Sequence, residues 1–125
     1  AALVQKDGRT VIIFDEVDAG VGGAVADAVG ERLAGLAKNA QVLVVTHSPQ
    51  VAARAGCHWQ VSKSGKTKVT TSVALLDDEA RLEEIARMLS GAKVTKAARA
   101  AAGQLLASAK IKPKAKRRAG KKSAA

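Results

Sequence analysis

The order of apolar and polar residues divides the first hundred positions into short strands and helices. Val11-Ile12-Ile13-Phe14 is a continuous apolar run that stops at Asp15, so Val11–Asp15 reads as the central strand of a parallel sheet. Residues 16–23, with their acids and glycines, predict a loop. From Ala24 to Lys38, Val25, Ala28, Val29, Leu33 and Leu36 fall at helical spacing, and Lys38 and Asn39 mark the end. Gln41–Val45 is a second apolar strand. Strand, helix and strand in this order predict a βαβ unit with parallel strands and a right-handed crossover.

Beyond this unit, Ser48 as a cap and Pro49 in the first turn predict a short helix to about Ala55. His58–Ser62 and Lys68–Leu75 read as a hairpin around Ser64, Gly65 and Lys66. Val69, Thr71 and Val73 alternate with Lys68, Thr70 and Ser72, which predicts a half-buried edge strand. Asp77, Asp78 and Glu79 place negative charge at the start of a helix carrying Leu82, Ile85, Ala86 and Leu89, with Gly91 as its stop. An alanine-rich helix over roughly Thr95–Ala109 follows.

Composition narrows this picture. At 125 residues the chain holds one domain or part of one. Phe14 and Trp59 are its only aromatics, so a modest core must come from Val, Leu, Ile and Ala. No apolar run approaches the ~20 residues that span a bilayer, and no secretory signal pattern opens the chain. It begins with Ala and reaches its first strand almost at once, which reads as a fragment of a longer protein. A single cysteine, Cys57, forbids an internal disulfide, fits a reducing cytoplasm, and is expected to be a small buried hydrophobe. Charge is uneven: residues 1–89 carry 10 basic and 11 acidic side chains, whereas residues 90–125 carry 11 basic and no acidic ones. The net charge of +10 therefore belongs to the C-terminal end, and residues 110–125 are expected to be a disordered basic tail.

The chemistry concentrates where the apolar strands end. Asp15 and Glu16 are adjacent, with Asp18 two residues on and Gly22-Gly23 beyond. Mg²⁺ keeps several waters and uses one or two carboxylates plus phosphates, so Asp15 suffices for the ion. Glu16 can then orient or deprotonate a nucleophilic water. His47 follows the next strand, and in an open α/β sheet ligands bind outside the carboxyl ends of the strands. Two polar clusters on neighbouring tips point to nucleotide hydrolysis.

Taken together, Phe14-Asp15-Glu16-Val17-Asp18-Ala19-Gly20-Val21-Gly22-Gly23 and Thr46-His47-Ser48-Pro49-Gln50-Val51-Ala52-Ala53 resemble two motifs of ATP-binding-cassette ATPases. They look like the Walker B–D-loop and switch-histidine segments of the chromosome-maintenance and break-repair type, and within it of the RecN family of bacterial DNA-repair ATPases. Glu83-Glu84-Ile85-Ala86-Arg87-Met88-Leu89-Ser90-Gly91 resembles that family's C-terminal helix. The likeness covers residues 10–107. It implies an α/β fold, the C-terminal part of a P-loop NTPase (ABC-type) head over residues 1–109, with a parallel βαβ core, a following β-hairpin and C-terminal helices. It further implies ATP and Mg²⁺ as cofactors, with Asp15 at the metal's water shell, Glu16 as catalytic base and His47 at the γ-phosphate. Asp18, Ala19 and Gly20 would lie across a head-to-head homodimer. The implied setting is recombinational repair in the cytoplasm at the nucleoid, with DNA breaks or ends and a recombinase as partners.

The chain departs from the family's pattern in two places. It has no Gly-x-x-x-x-Gly-Lys-Ser/Thr loop and no Ser-Gly-Gly-Glu signature. Gly65-Lys66-Thr67 copies only the end of a phosphate loop and sits in the expected hairpin. Alone, the chain is expected to be inactive and, with a sheet deprived of its neighbours, poorly soluble. A transporter subunit is disfavoured by Gly20-Val21-Gly22-Gly23 and the basic end. A separate reading makes the chain a non-catalytic DNA-binding module acting through residues 110–125, where lysine and arginine would grip phosphates in a salt-dependent way.

Overall fold

A computed structural model describes residues 1–6 and 8–110. The expected basic tail, apart from Lys110, lies outside the described residues. Among the described residues, nine elements follow in order. Strands β1 (Ala2–Lys6), β2 (Arg9–Asp15) and β3 (Gln41–Val45) form one sheet in the order β1-β2-β3. Helix α1 (Gly23–Leu36) connects β2 to β3, and the short α2 (Pro49–Ala53) follows β3. Strands β4 (Trp59–Ser64) and β5 (Thr70–Leu75) form a separate two-stranded ribbon. Helices α3 (Asp78–Ser90) and α4 (Lys96–Ala109) complete the described part.

The parallel pairing expected of the βαβ unit is present: β2 and β3 run parallel, with Val11 opposite Gln41 and Asp15 opposite Val45. The sequence gives no sign of strand β1, because Leu3-Val4-Gln5 is too short a pattern to stand out. It pairs antiparallel with β2, so β2 is central but has one parallel and one antiparallel neighbour.

The core sits among the helices. Ala52 and Ala53 of α2, Ile85 and Ala86 of α3, and Ala98, Ala102 and Ala109 of α4 form one buried cluster, with Leu82, Met88, Leu105 and Leu106 packed against it. Alanine dominates because α2, α3 and α4 approach closely, and a bulkier side chain at these positions would hold them apart. Asp77 caps α3 by accepting from the Ala80 N–H at 2.8 Å, and Thr95 caps α4 by accepting from the Ala98 N–H at 3.1 Å.

Four expectations are corrected. Cys57 is exposed, since it lies in the loop between α2 and β4 rather than on a packed face. Every residue of β5 is exposed, because the ribbon has no sheet beneath it. In α1 the buried residues are Ala26 and Gly30, while Val25 and Leu36 of the expected apolar stripe are exposed; the face turned toward α2 is the one with small side chains. Ser48 occupies the N-cap position of α2 but makes no side-chain cap, since its hydroxyl donates to Gln50 Oε1 at 3.0 Å instead. The hairpin turn is as expected. Gly65 holds φ +102, and a Cβ there would stand 2.0 Å from the Lys68 carbonyl oxygen, so only glycine fits.

Candidate functional site at the carboxyl edge of the sheet

Parallel pairing brings the ends of β2 and β3 to the same edge. Asp15 is the last residue of β2 and Val45 the last of β3, and they are partners in register. Neighbouring strands lie about 4.8 Å apart, so Asp15-Glu16 and Thr46-His47 leave the sheet side by side. The ladder extends one step further, where the Glu16 N–H donates to the Val45 carbonyl at 3.0 Å. Asp15, Glu16 and His47 are all exposed.

Glu16 turns the chain sharply. It has φ +49, the left-handed region, and is the only non-glycine residue with positive φ among the described residues. Entering that region costs a side-chain-bearing residue roughly 1–2 kcal/mol, and such strain gathers at functional turns. The turn is closed by the Ala19 N–H donating to the Glu16 carbonyl at 3.2 Å and the Val21 N–H donating to the Asp18 carbonyl at 3.4 Å. Ala19 and Gly20 are exposed on its outer side.

Asp18 differs from its acidic neighbours: it is only 4% exposed. Its Oδ2 accepts the hydroxyl hydrogen of Thr46. Its Oδ1 is buried with no hydrogen-bond partner among the described residues. The Thr46 hydroxyl in turn accepts from the Ser48 N–H at 2.9 Å. A side-chain oxygen bonded to the N–H two residues on is a local turn, and His47 is its middle residue. The sequence motif alone assigns Thr46 no role. The signal for one was the Thr-x-Ser spacing directly after a strand.

Helix α2 is fixed from both sides. Arg54, its C-cap, reaches Asp27 of α1 at 2.8 Å. One guanidinium nitrogen of Arg81, from α3, donates to the carbonyls of Ala52, Ala53 and Ala55 at 3.1, 3.1 and 2.5 Å, which lie at the helix end.

No group of three or more His, Cys, Asp or Glu side chains suited to a metal occurs among the described residues. Asp15 fits Mg²⁺ as one exposed carboxylate at the strand tip, with the remaining ligands to come from water and phosphate. No helix among the described residues is long and apolar enough to cross a membrane.

No protein-family model matches the chain. The DNA repair protein RecN of Xylella fastidiosa (strain Temecula1) is 55% identical over 106 residues, which are 84% of this chain and 19% of that protein. The DNA repair protein RecN of Deinococcus radiodurans is 56% identical over 97 residues, 77% of this chain and 17% of that one. The chain thus spans about a fifth of the length of the curated relatives it matches. Among solved structures, a chain from work on ATP-driven dimerization and DNA-stimulated activation of SMC ATPases superposes with a TM-score of 0.53 at 19% identity. It covers 66% of this chain and 50% of that one, and shows an α/β fold of the SMC ATPase head type.

Proposed function

This chain belongs to the RecN family over the residues that align, and from that premise we propose that it is the C-terminal segment of an ATPase head acting in recombinational repair of DNA double-strand breaks. The observation that carries the reading is the parallel pairing of β2 with β3, with Asp15 opposite Val45, which sets the carboxylate pair and the imidazole segment at one edge. Mg²⁺, when bound, neutralises charge on the phosphates of ATP. Asp15 would hold the ion, Glu16 would take a proton from the attacking water, and His47 would contact the γ-phosphate. The turn from Asp18 to Gly20 faces a second head, so that ATP closes a head-to-head homodimer and hydrolysis reopens it. DNA breaks or ends are the partner, a recombinase is a further one, and the setting is the nucleoid in the cytoplasm.

The phosphate-cradling loop and the signature segment come from outside these 125 residues, so the chain alone neither binds ATP tightly nor turns it over. Glu16→Gln in the complete protein keeps the turn and the metal carboxylate while removing the base. It is expected to lower turnover by about 10²–10⁴-fold and to accumulate an ATP-bound dimer, seen as a doubled mass by light scattering. Turnover equal to the parent protein would refute the assignment of the base.

A further inference from the structure

We propose that Thr46 and Asp18 form a positioning pair that sets the direction of His47 and ties it to the Glu16 turn. The inference rests on the hydrolysis reading above and assigns a cis role to Asp18, beside the one its place in the turn implies. Thr46 uses its hydroxyl in both directions, donating to Asp18 Oδ2 and accepting from the Ser48 N–H at 2.9 Å. The second bond closes the turn in which His47 is the central residue, and the first anchors that turn to a residue two positions past Glu16. His47 itself is exposed, so its backbone carries its orientation. The turn is pinned at its far end as well, by Pro49 opening α2 and by the Ser48 hydroxyl on Gln50 Oε1 at 3.0 Å.

Burial makes the pair selective. Asp18 is 4% exposed, Thr46 is half-buried, and the Thr46 hydroxyl is the only side-chain partner of that carboxylate among the described residues. A buried carboxylate without a donor is costly, so the two segments are held in one relation while the bond is made. Any movement of the Glu16 turn is passed to the backbone beside His47, and base and phosphate contact form or open together. The second carboxylate oxygen is buried and has no partner among the described residues, so the Thr46 hydroxyl alone satisfies this side chain there.

The test uses the complete protein. Thr46→Ser keeps the hydroxyl, and Thr46→Val removes it at nearly equal volume. Because Thr46→Val also strands a buried charge and can fail to fold, Asp18→Asn/Thr46→Val serves as the second variant, with no such charge. Thr46→Val or the double variant, whichever is folded by its thermal transition, is expected to lose about tenfold to hundredfold in kcat, the scale of a misplaced contact, with the KM for ATP within twofold of the parent. Thr46→Ser stays within threefold of the parent. In a His47→Ala background Thr46→Val adds no further loss, since the effect runs through that imidazole. Parent kcat in a folded double variant, equal losses in the Ser and Val variants, or additive losses with His47→Ala would each overturn the proposal. Glu16→Gln run alongside separates the two levels: undiminished turnover there sinks the hydrolysis reading itself, whereas a dead Glu16→Gln beside a normal double variant sinks only the positioning pair.

Discussion

Gly30 sits where α1 comes nearest to α2, and its missing side chain sets the distance between the two helices. A Cβ at this position would stand 3.0 Å from Arg54 Cγ, 3.2 Å from Val51 Cα and 3.3 Å from the Gln50 carbonyl oxygen. Two of these three are backbone atoms, which yield poorly. Alanine gains about 0.5–1 kcal/mol of helix propensity over glycine, but overpacking costs typically 1–3 kcal/mol. The clash wins here, and Gly30→Ala is expected to destabilise by about 1 kcal/mol. Gly35, on the same helix, meets nothing within 4 Å. Gly35→Ala should therefore stabilise slightly, by about 0.5 kcal/mol. Urea unfolding of the two variants against the parent protein gives opposite signs if the close approach is real, and the same sign if propensity alone decides. The consequence reaches function, because the atoms that Gly30→Ala would push belong to the segment directly after Pro49, which fixes the His47 turn.

At the scale of elements, β2 and β3 were legible in the chain as unbroken apolar runs, and α3 and α4 by their helical composition and spacing. β1 and the orientation of α1 were not. β1 exists through pairing with β2, a partner that five residues cannot announce. In α1 the helical period was visible but the buried face was not: apolarity pointed to Val25 and Leu36, whereas proximity to α2 selected Ala26 and Gly30. Close packing rewards small residues, which a hydrophobic pattern ignores. For the site, the strand tips and the acids were readable, while the Asp18–Thr46 bond across 28 positions was not.

The ribbon's attachment to α3 supplies a prediction at the same scale. Gln60 donates to Glu84 Oε2 at 2.6 Å, and Arg87 grips the same carboxylate at 2.5 and 2.8 Å. The Arg87 guanidinium, and behind it Gln60 and His58, hold the Glu84 carboxyl below its ordinary value. His58 sits at the ribbon's start with its Nδ1 buried and without a hydrogen-bond partner among the described residues. Burial, then the charge of Arg81, lowers its pKa, and Glu84 opposes them. Both groups bind fewer protons folded than unfolded at acid pH, so both make stability fall as pH falls. The His58 contribution is present above about 6.5 and is lost as pH falls below that value. The Glu84 contribution is present above about 4.3 and is lost as pH drops through its depressed folded value. Unfolding free energy should decline from pH 7 to pH 5 in the parent, and His58→Gln should flatten that interval while leaving the steeper loss below pH 4.5. An unchanged slope between pH 7 and 5 in His58→Gln would show that another group is titrating.

At the scale of the whole molecule, two apolar surfaces stand open among the described residues. Residues opposite one another in register share a face of a sheet, and Val4, Ile13, Leu43 and Val45 lie on one face of β1-β2-β3, exposed by 54%, 36%, 45% and 58%. The ribbon repeats the pattern: Trp59 opposite Leu75 and Val61 opposite Val73 form a face that is more than half exposed throughout, while Gln60 on the other face binds α3. Contiguous apolar patches of this kind mark surfaces that another part of a protein covers. In the curated relatives, of which the chain spans about a fifth, the remaining length is available for such cover. The net charge of +10 opposes association of isolated copies, and salt screens it over about 10 Å at 0.1 M. The 125-residue chain is therefore expected to self-associate, increasingly from 50 to 500 mM NaCl in sedimentation velocity. Leu43→Lys together with Val61→Lys should raise its monomer fraction, because both positions face solvent here. In the complete protein the same pair should destabilise by a few kcal/mol, because a charge would be buried at each. A monomeric, cooperatively melting isolated chain at high salt would mean that these faces need no cover, and that the 125 residues are a domain in their own right.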